Sequence, residues 1–245
     1  QVMNMGQGGY SLGQSYLWYK RLEQKVEADI LLFTFIVDNI RRLGAIRTPN
    51  GYSRPTFSLE NSRLVLNNVP AADKLDVGDR IMRAGEMRIF LTRRSAIART
   101  VEKLINLPKQ QRTDSDGDLL QVALAIFAEL HRSALANGTQ FAIVLLPTIQ
   151  ELPNLEFSYR PGQELYHGVS TAVRRFTGEK QIPFLDLYPT LAALDPKRAT
   201  SFFQDDDFHH YTPVGNQFLA RRIHEWLSQS VKRYPRAQAD RPVSH

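Results

Sequence analysis

Apolar positions along the chain follow two periods, one that suits helices and one that suits strands. Residues 11–27 place Leu12, Tyr16, Tyr19 and Leu22 at helical spacing, which predicts a helix. Residues 30–37 are apolar except for Thr34, with the length and composition of a buried parallel strand. Between Gly44 and Gly117 this rhythm breaks. Residues 56–59 and 63–66 flank Glu60-Asn61-Ser62 and predict a hairpin. A helical stretch at about 91–107 and a polar linker at 108–118 follow. Regular alternation then resumes, with an amphipathic helix at 119–136 stopped by Asn137-Gly138 and a strand at 141–146 ending at Pro147. A helix at 164–176 and a strand at 183–187 come next. The last helix, 213–231, starts on Pro213 and carries Val214, Phe218, Ile223, Trp226 and Leu227 as its apolar face. Residues 232–245 are polar and read as a frayed tail.

Strand–helix–strand alternation predicts an α/β fold, three-layer α/β/α with a central parallel sheet. The expected organisation is a single domain over 1–231, in which 44–117 is an insertion or lid with a hairpin. Sites in such folds collect at the carboxyl ends of strands. Three segments are therefore candidates: 6–10, Asp38-Asn39, and 207–210.

Composition narrows the choice. The chain has 245 residues, 42% hydrophobic and 23% charged, enough for a full-sized core. Cysteine is absent, which excludes disulfide frameworks, Cys-rich zinc sites and Cys nucleophiles. The formal charge of +6 is spread over short pairs such as Arg41-Arg42, Arg93-Arg94 and Arg221-Arg222, with no basic stripe, so no nucleic-acid partner is expected. Nor is a transmembrane segment, since no uninterrupted apolar run approaches the roughly 20 residues a span requires.

The first candidate segment, Asn4-Met5-Gly6-Gln7-Gly8-Gly9-Tyr10-Ser11, puts glycines just before a helix. Backbone N–H groups there can approach a phosphate or an oxyanion. A dinucleotide fingerprint begins at Gly6 and Gly8 but meets Ser11 where its third glycine belongs. A tight turn that needs small residues is the plainer alternative. Asp38-Asn39, at a strand end, can contact substrate or cap a helix over 40–43. Asp205, Asp206 and Asp207 beside His209 and His210 admit three readings: a solvated turn, part of a zinc or manganese site, or a dyad in which Asp207 orients His210 as general base.

Together these segments resemble the SGNH (GDSL-type) hydrolase family over most of the chain. Asn4-x-Gly6-x-x-Gly9-Tyr10 with Gln14 is similar to that family's second block, Ala28-Asp29 and the strand after it to the third, and Asp207-x-x-His210 with Thr212-Pro213-x-Gly215 to the fifth. The resemblance implies the flavodoxin-like variant of the α/β/α fold and ester hydrolysis through an acyl-enzyme, without metal or organic cofactor. It casts His210 as base, Asp207 as its orienting partner, and the Gly9 N–H as an oxyanion donor. The implied substrates are acetylated sugars, lipids or small acyl esters. Since relatives often act on envelope or secreted polymers, the implied placement is extracytoplasmic.

Two departures qualify the likeness. The family's nucleophile stands in Gly-Asp-Ser, and no such tripeptide occurs in the sequence. Because that block normally precedes the second, the expectation is that the first strand and its Ser lie upstream of Gln1, and that residues 1–245 alone are inactive. The second departure is Asp38-Asn39, where the family has Asn then Asp. An ionised Asp38 would repel an oxyanion rather than supply the roughly 3 kcal/mol of a good donor. Three readings stay open: Asn39 moves into the role by a small loop shift, Asp38 is protonated, or the chemistry is altered. The alternatives to an esterase are a non-catalytic SGNH-like binding or scaffold domain and a metal-dependent hydrolase using Asp207, His209 and His210.

Overall fold

The computed structural model describes residues 1–48, 52–70, 116–155, 158, 160–204 and 207–230, with backbone alone for 116 and 207–209. The expected helix at about 91–107, most of the linker and of the 44–117 excursion, and the 232–245 tail lie outside these residues. Two compact units are distinguished, each from discontinuous segments: Gln1–Gln24 with Asp38–Phe127, and Lys25–Val37 with Ala128–His245.

In the first unit, helix α1 (Leu12–Leu22) begins on a capping box. The Ser11 hydroxyl accepts from Gln14 N–H, and the Gln14 side chain accepts from Ser11 N–H. The helix stops five residues short of the predicted Glu27, at a Glu23 cap. Next come the five-residue helix α2 (Val37–Arg41), whose first residue counts with the second unit, and a 3₁₀ turn at Arg42–Gly44. The predicted hairpin is present as β2 (Thr56–Glu60) and β3 (Arg63–Asn67), with Glu60 opposite Arg63. Asn61 (φ 48°) and Ser62 (φ 63°) both take left-handed backbone, as a tight two-residue hairpin turn demands. Gly13 lets α1 meet the hairpin, since a Cβ there would lie 2.7 Å from the Phe57 ring. Leu12, Leu43, Phe57 and Leu119 form this unit's buried interior.

In the second unit, β1 (Ile30–Phe35), β4 (Gln140–Leu145) and β5 (Phe184–Asp186) form a parallel sheet in the order β1-β4-β5. The protein is thus a mixed α/β structure with a parallel three-stranded sheet. Residues 30–37 were expected to be the buried strand, yet Ile30 is 37% exposed and Thr34 is exposed as well. The central strand is β4, paired on both sides, and its residues from Phe141 to Leu145 are all buried.

Helix α3 (Asp116–Ala136) takes in the last three residues of the predicted linker and runs from the first unit into the second. It ends where Gly138 adopts φ 67° and Thr139 N–H returns to Ala134 O, the stop that Asn137-Gly138 predicted. By length and composition Gly117–Ala136 is apolar enough to cross a membrane, unlike any stretch expected from the sequence. Its Leu119, Ile126, Phe127 and Leu130 are fully buried, as in the core helix of a folded domain. Helix α4 (Arg160–Lys180) is a turn longer at each end than its periodicity indicated. Two short helices absent from the sequence reading, α5 (Tyr188–Ala192) and α6 (Pro196–Thr200), lead to β6 (Phe203–Gln204), β7 (Asp207–Tyr211) and α7 (Pro213–Ser230). Leu219, with partly buried Phe218, Ile223 and Trp226, packs α7 on a core of Val144, Leu152, Leu187, Phe202 and Tyr211. Val214, assigned to the apolar face from the pattern, is 61% exposed. It sits in the first turn, beside the Gly215 that makes the contact.

Candidate functional site

The glycine segment of the first unit is a tight turn. The Asn4 side chain accepts from Gly6 N–H at 2.9 Å, and Tyr10 N–H closes on Gln7 O at 3.4 Å. Gly9 has φ 74°, a conformation that a side chain would strain. A Cβ on Gly9 would meet nothing within 4 Å, so this glycine serves backbone shape rather than close packing. Ser11, which spoils the dinucleotide fingerprint, is the buried cap of α1.

Asp38 and Asn39 are neither on a loop nor at a cap, but inside α2. This corrects the reading of the pair as a cap for a helix over 40–43. The Asp38 carboxylate pairs with Arg42 Nη2 at 2.7 Å, one helical turn on. Asn39 Nδ2 donates to Tyr10 O at 3.0 Å. The amide, and not the carboxylate, is therefore the group tied to the glycine turn. Arg54, which no sequence signal marked, is buried near Asp38 and Arg42.

In the second unit the fifth-block segment forms a strand, where a loop was expected. Its pairing is irregular: Phe203 and Gln204 are consecutive, whereas their partners Tyr211 and Asp207 are four residues apart. A regular strand sends residues three apart to opposite faces. An inserted bulge lifts that rule and re-aims side chains. His210 is exposed, and Tyr211, next to it, is buried with its hydroxyl donating to Pro147 O. Burial, with Glu151 adding to it, pushes the Tyr211 pKa well above the ordinary tyrosine value, so the hydroxyl stays a donor. Asp205 and Asp206, and the side chains of Asp207 and His209, lie outside the described residues.

The strand-to-helix junction explains Thr212-Pro213-x-Gly215. Thr212 N–H donates to Phe202 O at 2.8 Å, Thr212 Oγ1 donates to Ser201 O at 3.1 Å, and Gly215 N–H donates to Thr212 Oγ1 at 3.2 Å. Thr212 thus caps α7 while tying it to the preceding hairpin. A Cβ on Gly215 would lie 2.4 Å from Phe202 O, so only glycine allows that approach.

The structure also shows a polar centre that the sequence reading passed over. Asp186, at the carboxyl end of β5, accepts from Tyr166 OH at 2.7 Å, Tyr188 N–H at 2.9 Å and the Ser170 hydroxyl, and lies 3.4 Å from Arg174. Burial, then the Asp186 charge, raises the Tyr166 pKa far above its usual value. Ser170 donates straight to the carboxylate, with no imidazole between them, which is a structural bond and not an activated nucleophile. A lone Asp in Leu185-Asp186-Leu187 was the available signal. Among the described residues no group of three His, Asp or Glu side chains stands together to hold a metal ion.

Gly9, Asp38 and Asn39 thus belong to the first unit, and Asp207 and His210 share one strand of the second. No protein-family model matches the chain, and no curated protein matches it.

Proposed function

We propose that the chain is an SGNH-type acyl-ester hydrolase domain with the three-layer α/β/α arrangement of that family. The observation that carries the reading is the 3.0 Å bond from Asn39 Nδ2 to Tyr10 O. Two segments far apart in sequence, which resemble the family's second and third blocks, meet through it. An amide beside a turn of backbone N–H groups is the donor chemistry an acyl-transfer oxyanion requires.

In this reading a serine hydroxyl attacks the acyl carbonyl, and His210 takes its proton. His210 then passes that proton to the leaving alcohol as the tetrahedral intermediate collapses to the acyl-enzyme. Water, deprotonated by His210, then attacks the acyl-enzyme, and His210 returns the proton to the serine oxygen as the acyl–oxygen bond breaks and the free acid leaves. Asp207 orients the imidazole and stabilises its cation. The Gly9 N–H and the Asn39 amide hold the oxyanion, and Asp38, engaged by Arg42, takes no part. The 245 residues contain no Gly-Asp-Ser, so the chain's own contribution is the base and the oxyanion donors.

A second reading, a binding domain without catalysis, draws on the Asp38–Arg42 ion pair, which leaves a carboxylate beside the donor amide. One assay separates the two. The natural gene product that contains these residues should hydrolyse p-nitrophenyl acetate, and His210→Ala should lower kcat by at least about 100-fold. No turnover in that gene product favours the binding domain. Undiminished turnover in the variant removes His210 from the mechanism. Residues 1–245 alone should show no turnover; clear activity lost on His210→Ala would locate the nucleophile within them.

A further inference from the structure

Arg54 is 2% exposed, and its Nε and Nη1 have no hydrogen-bond partner among the described residues. Nε carries one N–H and Nη1 two, so three donors stand without an acceptor. The backbone here is anchored, because Arg54 N–H donates to Ile46 O at 3.0 Å and Arg54 O accepts from Asn68 Nδ2 at 2.6 Å. The side chain is therefore held inside by a fixed main chain. Among the described residues the charges that act on it are Arg42 and Asp38, and the Asp38 carboxylate is already 2.7 Å from Arg42 Nη2. Two guanidiniums share one carboxylate, which leaves positive charge in excess. Burial and Arg42 both lower the Arg54 pKa, and Asp38 only partly offsets them.

A lysine in this position could shed its proton, but a guanidinium keeps its charge in proteins. Relief has to come from an anion. Carboxylates and phosphates are the groups that match guanidinium donors best. The Arg42 and Asp38 side chains are 30% and 26% exposed, which connects the cluster to solvent.

We propose that Arg54, with Arg42, binds the oxyanion of a small ligand, a carboxylate or a phosphate group. The site goes beyond the ester-hydrolase reading and does not depend on it. Binding leaves Asp38 as the internal counter-ion and places the incoming anion on the unpartnered nitrogens of Arg54.

The test titrates inorganic phosphate and sodium acetate separately into the protein, by calorimetry and by thermal melting, against sodium chloride at matched ionic strength. One or both oxyanions should bind with a stoichiometry of one and raise Tm saturably beyond chloride. Binding of phosphate alone assigns a phosphate ligand, and binding of acetate assigns a carboxylate. Arg54→Gln should weaken the affinity at least about 10-fold, the share of a charge-assisted hydrogen bond. If that variant does not fold, Arg42→Gln is read in its place, with the same loss expected. Equal effects of phosphate, acetate and chloride would overturn the proposal, as would unchanged affinity in the variant.

Discussion

Gly215→Ala adds one methyl group at a place where the backbone has left no room. The new Cβ would lie 2.4 Å from Phe202 O, 3.0 Å from Phe202 Cβ and 3.1 Å from Phe202 C. Two of these three atoms are main chain, so no rotamer change relieves the contact. The first turn of α7 must retreat by about 1 Å to reach ordinary van der Waals separation. That retreat stretches the bonds from Thr212 to Phe202 O and Ser201 O, each contributing about 1 kcal/mol. Overpacking of this kind costs about 1–3 kcal/mol. Against it stands the helix preference of Ala over Gly, at most about 1 kcal/mol and less in a first turn. The expected net loss is about 2 kcal/mol, or a Tm lower by about 4–8 °C for a chain of this size. The control is Gly168→Ala in α4, where a Cβ meets nothing within 4 Å. Propensity acts alone there, and Tm should hold or rise. Melting of Gly215→Ala at or above the parent temperature, or an equal fall in both variants, would refute the close-approach argument.

The other predictions concern Asp186 and His131. Asp186→Ala strips the acceptor from Tyr166 OH, Ser170 OH and Tyr188 N–H together and should cost about 3–5 kcal/mol in urea denaturation. Asp186→Asn keeps an acceptor and should cost only about 1–2 kcal/mol, so equal losses would show that the charge, and not the acceptor, is what matters. The His131 pKa is lowered by burial, with Lys180 adding to it, so the unfolded chain takes up this proton at a higher pH than the folded one. The stability tied to His131 is complete above an unfolded value of about 6.5 and is lost as pH falls through it toward the folded value. His131→Phe, which keeps a ring against Phe141, should therefore shrink the fall in Tm between about pH 7.5 and about pH 5. A fall of unchanged size would remove His131 from the acid response.

Periodicity and turn chemistry made most long elements of the described residues legible. Ser11, Asn61-Ser62 and Asn137-Gly138 act locally, through side-chain caps and left-handed backbone, so their effects can be read without knowing what packs where. Strand order and exposure cannot be read this way. Residues 30–37 and 141–146 are nearly alike in apolar content, yet β4 is paired on both sides and buried from Phe141 to Leu145, whereas Ile30 and Thr34 of β1 are exposed. The short helices α5 and α6 are invisible to a hydrophobic period because five residues barely complete one turn.

The candidate site divides along the same line. The motif Thr212-Pro213-x-Gly215 was readable as a pattern, but its reason, a helix pressed against Phe202 O, is a tertiary contact. Arg54 carried no pattern at all; what singles it out is a buried side chain whose Nε and Nη1 lack a partner among the described residues, which exists only in the fold. The Asp38-Asn39 pair shows most clearly how local structure decides chemistry. On a loop the two residues are nearly interchangeable, since a small shift presents either one. Within α2 they are not, because successive side chains leave a helix about 100° apart. Asp38 points along the stripe that reaches Arg42 four residues on, and Asn39 points to Tyr10 O. A helix that offers its amide to the glycine turn has to offer its carboxylate elsewhere, and Arg42 is positioned to receive it. The order Asp-Asn thus sends the amide to Tyr10 O and the carboxylate to Arg42 through helical geometry, without a loop shift.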